Sequence, residues 1–135
     1  MYRNILIPVS FDQDRDRDGA FRVATALADE GATITLLHVM EPIPGYVAAQ
    51  IPAEIMAESR VEAEKRMTAL AQGMPGAKTA IMSGHAGRNI AAFAKREAVD
   101  CLVLASHKHG VGDYFIGSTA DWVVRHVDCC VHVIR

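Results

Sequence analysis

The chain has 135 residues, half of them apolar and 22% charged, and its 14 Lys and Arg against 16 Asp and Glu leave a net charge of −2. That suits one domain with a real hydrophobic core and excludes intrinsic disorder, a globally basic nucleic-acid binder and, with only three cysteines, a disulfide scaffold. No stretch approaches the roughly 20 apolar residues of a membrane span, and the apolar run after Asn4 is shorter than a signal-peptide core. The expectation is a soluble, cytoplasmic, single-domain protein over residues 1–135, with no nucleic-acid partner and no membrane partner.

In chain order, residues 5–9 form the first β-branched apolar run, with Ile5, Ile7 and Val9, and read as a buried strand. Ala20, Phe21, Ala24, Leu27 and Ala28 then recur at helical spacing, with Gly31 where a helix would end. Residues 33–39 form a second strand. Residues 41–51 are irregular. Their Tyr46 and Val47 favour a packed crossover or a dimer contact over a lid. Met56, Ala63, Met67 and Leu70 mark a second helix, with Pro52 near its start and Gly73 after it. A weaker strand follows at 79–82, and a helix carrying Ile90, Phe93, Ala94 and Val99. Residues 101–104 are the fourth strand. A helix starting at Gly117, Ser118 and Thr119 carries Trp122, Val123 and His126, and 130–134 is the last strand. Regular alternation of near-continuous apolar strands with helices predicts a doubly wound α/β fold, its parallel sheet covered on both faces.

Ligands of such sheets bind beyond the carboxyl ends of the strands. The informative residues are therefore Ser10, Phe11 and Asp12 after strand one; His38, Val39 and Met40 ending strand two; Ser83 to Gly87 after strand three; and Ala105 to Gly112 after strand four. The last helix is the strongest signal. Ser118 reads as its N-cap, with Asp121 completing an approximate capping box. Its free N–H groups, the Ser118 and Thr119 hydroxyls and the small Gly117 would also suit a phosphate. His107, Lys108 and His109 on the facing loop would add positive charge.

Other constellations are weaker. Asp14, Asp16, Asp18 and Gly19 match the opening of a calcium loop, but Thr25 stands where its bidentate Glu belongs, and Arg15 and Arg17 oppose a cation. No His or Cys pair has structural zinc spacing, so no metal ligand is assigned, and Cys101 and Cys130 are expected as small core residues. Asp113 reads as a surface loop residue. No Walker A lysine, complete dinucleotide fingerprint or nucleophile, base and acid set stands out. Aromatic residues are only 6% of the chain, and no aromatic pair brackets a flavin loop, which ranks a flavodoxin-like carrier low.

Nearly the whole chain resembles the universal stress protein family. The likeness runs through Asn4 to Val9, Leu36 to Val39, Ser83 and Gly84, and is closest in Leu104 to His107, Ile116 to Ala120, Val123 to His126 and Val131 to Arg135. It is most similar to the small F/G-type bacterial members. The resemblance implies a five-stranded parallel sheet in the order 3-2-1-4-5, an adenine nucleotide alpha hydrolase-like (Rossmann-like) fold, and ATP in the crevice between strands one and four. ATP with or without magnesium, AMP and ADP are the implied ligands.

Carried over by position, the family's Gly-x2-Gly-x9-Gly-Ser/Thr motif falls on Ala105, Lys108 and the pair Gly117 and Ser118. Only the closing pair matches, and the second spacer is eight residues. Ser10 stands where nucleotide-binding members usually carry Asp. The implied site is Pro8, Val9, Ser10, Phe11, Val39 and Gly84 around the nucleoside, with Val39 backbone groups reading the adenine edge. Ala105, Ser106, His107, Lys108, Gly117, Ser118 and Thr119 lie toward the phosphates. The resemblance also implies a homodimer through the last strand, or a tetramer, acting in the stress response with at most slow hydrolysis. The alternative is a stress protein that binds no nucleotide and acts as a protein-interaction module.

Overall fold

The computed structural model describes residues 1–11, 14–105 and 117–135, with the side chains of 14–16 left aside. The elements are β1 (Tyr2–Pro8), α1 (Asp14–Leu27), β2 (Ala28–Met40), α2 (Gly45–Ala48), α3 (Ala53–Ala71), β3 (Lys78–Ser83), α4 (Ala86–Arg96), β4 (Cys101–Ala105), α5 (Ser118–His126) and β5 (Cys130–Ile134). All five strands are parallel, in the order β3-β2-β1-β4-β5.

The continuous apolar strands follow from the alternation of side chains across a sheet covered on both faces. Ile5, Ile7, Leu36, Cys101 and Val103 enter one core with Ala20 and Ala24 of α1 and Met67 of α3. Their sequence neighbours Leu6, Leu37, Leu102 and Leu104 enter the other, with Ile90, Phe93 and Ala94 of α4 and Ala120 and Val123 of α5. Ile5, Leu6, Ile7, Leu36, Leu37, Leu102 and Val103 are completely buried.

Several expectations are corrected. Helix α1 stops at Leu27, so Ala28 opens β2 rather than extending a helical face. Gly31 therefore ends no helix. It takes a left-handed φ of 78° where the β1–β2 register shifts between the pairs Tyr2↔Ala28 and Asn4↔Thr33. Met56 is not on the core face of α3, because residues 53–62 are all exposed and only Ala63 and Met67 are buried. The segment 41–51 is not a packed crossover within the chain, since α2 buries no residue and Tyr46 is 78% exposed. Cys101 is buried as expected, but Cys130 is exposed, because it starts an edge strand that among the described residues has a neighbouring strand on one side only. Val99 lies beyond α4, which closes through Ala98 at φ 53°, with Val99 N donating to Ala94 O at 2.9 Å. Asn4 fastens this turn to β1 by donating from Nδ2 to Glu97 O at 2.6 Å and to Ala98 O at 3.3 Å.

Candidate functional site

At the carboxyl end of the sheet the β1–β4 pairing ends at Leu6↔Leu102, and α1 and α5, the described helices that follow these strands, pack on opposite faces. A cavity of about 520 Å³ opens there, within the range of small-ligand sites. Pro8, Val9 and Ser10 leave β1 on one side, and His38 and Val39 end β2 beside them. Leu104 and Ala105 end β4 on the other side, facing Gly117, Ser118 and Thr119 at the start of α5. Ala86 and Ile90 of α4 complete the wall.

The α5 end of this cavity suits an anion. The first backbone bond of the helix is Asp121 N to Gly117 O at 2.9 Å, so the N–H groups of Ser118, Thr119 and Ala120 have no carbonyl partner within the helix. Their dipoles add to the field of the helix axis. The N-cap is Gly117 rather than Ser118, at φ −55° and ψ 153°. Ser118 is already helical, so the expected capping box does not form. The Asp121 carboxylate instead accepts from Arg125 Nε at 3.1 Å, one helical turn on, which draws its negative charge toward the helix C-terminus.

The other end of the cavity is shaped by β2 and by the turn after β3. His38 Nδ1 lies 2.9 Å from Val9 O. Its ring stacks on Phe11 at 4.0 Å between centroids, and Arg66 of α3 sits 5.0 Å from the Phe11 centroid. Gly84 turns the chain from β3 into α4 at φ 128°, a conformation that disfavours a side chain. A Cβ there would also lie 2.7 Å from Asn89 Nδ2, which donates to His85 O and Ser83 O. The first turn of α4 is capped by His85, whose Nδ1 accepts from Arg88 N at 3.1 Å.

The structure brings Pro8, Val9, Ser10, Val39, Ala105, Gly117, Ser118 and Thr119 around one cavity. Phe11 lies behind its wall, in contact with His38, and Gly84 lies in the adjoining turn. Ser106, His107 and Lys108, with His109 and Asp113, fall outside the described residues, as does Asp12. His38, Met40 and Ala86, which the sequence places after strands but outside the implied site, also line the cavity. So does Ile90, whose spacing carries only a core pattern. Among the described residues no group of three His, Cys, Asp or Glu is placed to hold a metal.

A second groove, of about 620 Å³, lies at the opposite end of the sheet between the last turns of α4 and α5. Two helix C-termini would repel an anion there. That end also holds Cys101, whose thiol burial pushes up to about 11, and Tyr2, pushed up to about 12 chiefly by its hydrogen bond with Cys130.

The family model described as the universal stress protein family matches residues 1–135. The universal stress protein in the QAH/OAS sulfhydrylase 3′ region of Thermus aquaticus is 30% identical over 138 residues, covering all of both chains. Universal stress protein G of Escherichia coli O157:H7 is 25% identical over 142 residues, again covering both completely. Among solved structures, the hypothetical protein MJ0577 superposes with a TM-score of 0.83 at 23% identity, over 99% of this chain and 96% of its own.

Three structures of the family were solved with a nucleotide, and at their identities they show the shared fold alone. One, in complex with cAMP, has a TM-score of 0.60 at 20% identity, over 99% of this chain and 97% of its own. That from Archaeoglobus fulgidus with dAMP has 0.65 at 16%, over 99% and 98%, and that from Arabidopsis thaliana with AMP has 0.61 at 19%, over 97% and 90%. Sequence, strand order and superposition agree, and the chain belongs to the universal stress protein family.

Proposed function

We propose that this chain is an adenine-nucleotide-binding stress-response module of the cytoplasm that works as a homodimer. The observation that carries the reading is the cavity between β1 and β4. It has the open N-terminus of α5 at one end and the backbone of Val39 at the other, a polarity that suits phosphates and a base respectively. Family relatives crystallised with AMP, dAMP and cAMP support the ligand class. Val39 backbone groups read the base edge, Ser10 meets the ribose, and Ser118 and Thr119 hold phosphate together with Ser106, His107 and Lys108. ATP, with or without magnesium, is the ligand proposed for the fully loaded state, with AMP and ADP sharing the nucleoside end.

The dimer is proposed through β5, the edge strand after β4, whose outer edge pairs with no strand among the described residues. An unpaired edge is a template for a second copy. Sedimentation at micromolar concentration is expected to give twice the monomer mass, and monomer alone refutes this part.

Nucleotide binding is tested by heating the purified protein and analysing the supernatant by mass spectrometry, with calorimetric titration of ATP and of AMP, each with and without magnesium. Released adenine nucleotide or saturable binding is expected. Neither, at millimolar ligand, refutes the nucleotide reading and favours the second one, a protein-interaction module. A specific feature supports that second reading: Ile43, Tyr46, Ile55 and Met56, on or beside α2 and α3, are exposed large apolar side chains.

A further inference from the structure

The ladder between β1 and β2 stops one rung short of where its own geometry would carry it. Val9 N donates to Leu37 O at 2.8 Å. In a parallel ladder alternate residues of one strand bond to the same neighbour, so the next rung would run from Val39 N to Val9 O. Among the described residues that rung is absent: the pairing ends at Pro8↔Leu37. Val9 O instead accepts a hydrogen bond from the side chain of His38, whose Nδ1 is 2.9 Å away. A carbonyl only accepts, so Nδ1 carries the proton.

The other neighbour cannot take the groups of Val39. Gly84 N donates to Met40 O at 2.9 Å. Met40 and His38 therefore turn their backbone groups toward β3, and Val39 turns its own toward the β1 side, where it lines the cavity. The His38 ring is held in place by Phe11, stacked at 4.0 Å and 30°, with Arg66 5.0 Å from the Phe11 centroid.

We propose that His38 is a positioning residue: by occupying the Val9 carbonyl with its ring, it keeps the Val39 N–H out of the sheet and available to an acceptor on the bound base. The identity of the ligand rests on the nucleotide reading above, whereas the ladder device does not. His38 needs no contact with the ligand. It acts through Val9 and Val39, and so bears on base selectivity more than on phosphate affinity.

The test uses the full chain, isotopically labelled, with His38→Phe and His38→Asn. Phenylalanine keeps the ring stack on Phe11 and has no donor. Asparagine places an amide donor near the position of Nδ1. In the unsubstituted protein the Val39 amide is expected to exchange with solvent at least about tenfold faster than that of Leu37. The imidazole proton of His38 is expected on Nδ1 in a long-range nitrogen–proton correlation. In His38→Phe the missing rung forms, and Val39 exchange slows by about tenfold, while His38→Asn stays like the parent. Calorimetry on the same samples is expected to show ATP affinity about three- to tenfold weaker in His38→Phe, with preference over GTP reduced, and both restored in His38→Asn.

Equal protection of Val39 and Leu37 in the parent, a proton on Nε2 alone, or unchanged Val39 exchange in His38→Phe overturns the proposal. The first two readouts need no variant and decide the matter even if His38→Phe fails to fold. Fast Val39 exchange with no heat from ATP or AMP refutes the nucleotide reading and leaves the role of His38 standing. Normal exchange behaviour with unaltered ATP affinity and base preference in His38→Phe overturns the link to recognition.

Discussion

Gly87→Ala tests whether the wall of the cavity is as tightly built as its geometry indicates. Gly87 lies in the first turn of α4, buried against α5. A Cβ there would meet Trp122 Cε3 at 2.9 Å and Cδ2 at 3.1 Å, well inside the roughly 3.5–4.0 Å optimum for two carbons. These are ring atoms of an indole that stacks on His126 at 3.7 Å and 11° and meets His85 edge-on at 5.7 Å. The indole is thus confined on several sides, and either it or α4 must shift by several tenths of an ångström. Alanine normally stabilises a helix interior by about 1 kcal/mol relative to glycine. Overpacking of a filled interior costs about 1–3 kcal/mol. The second effect is expected to win, leaving a loss of up to about 2 kcal/mol. For a domain of this size that lowers Tm by up to roughly 8 °C. Trp122 is the single tryptophan, so its fluorescence reports both the melt and the local displacement. Adding Trp122→Leu is expected to turn the alanine into a neutral or stabilising change. A raised Tm in Gly87→Ala alone, or an unchanged penalty in the double variant, would refute the reasoning.

Three further outcomes are expected. Ala98→Gly raises stability by about 0.5–1 kcal/mol in urea unfolding, because Ala98 holds a left-handed φ of 53° that costs a side chain more than the unfolded-state entropy of glycine takes back. Ser118→Asp raises Tm slightly, by placing a negative charge at the α5 N-terminus, and weakens ATP binding tenfold or more by repelling phosphate; tighter binding would overturn the phosphate assignment. The buried Cys101 thiol has its value raised from near 9 to about 11, so the folded chain keeps a proton that the unfolded chain gives up. Its contribution is complete below pH 9 and is lost as pH rises through about 11. Urea midpoints measured from pH 8 to 11 should fall with pH, less steeply in Cys101→Ala.

Much of the fold was legible because its signals are local. The runs around Ile5, Leu36 and Leu102 announce buried parallel strands, since covering both faces removes the polar alternation, whereas the run around Val131 forms a parallel strand with no buried residue. The glycine and hydroxyl residues at 117–119 mark a helix start through the chemistry of free N–H groups. The expectations that failed concern features set by what stands opposite. Ser118 has good N-cap chemistry, but Gly117 takes that place. Met56 has helical spacing, but among the described residues nothing buries the first half of α3. Cys130 is apolar, yet it begins the outermost strand.

By itself, then, the sequence determined the order of the five strands and of the helices packed on them, and most of the apolar surface to be buried, because periodicity and composition act over a few residues. Tertiary structure alone decided that Val9, His38 and Gly117, 29 residues apart for the first pair and far more for the last, border one space. It also decided that a histidine side chain takes the carbonyl the ladder would have used. Hydrogen-bond competition between strands depends on register, and register is fixed only when the sheet has formed.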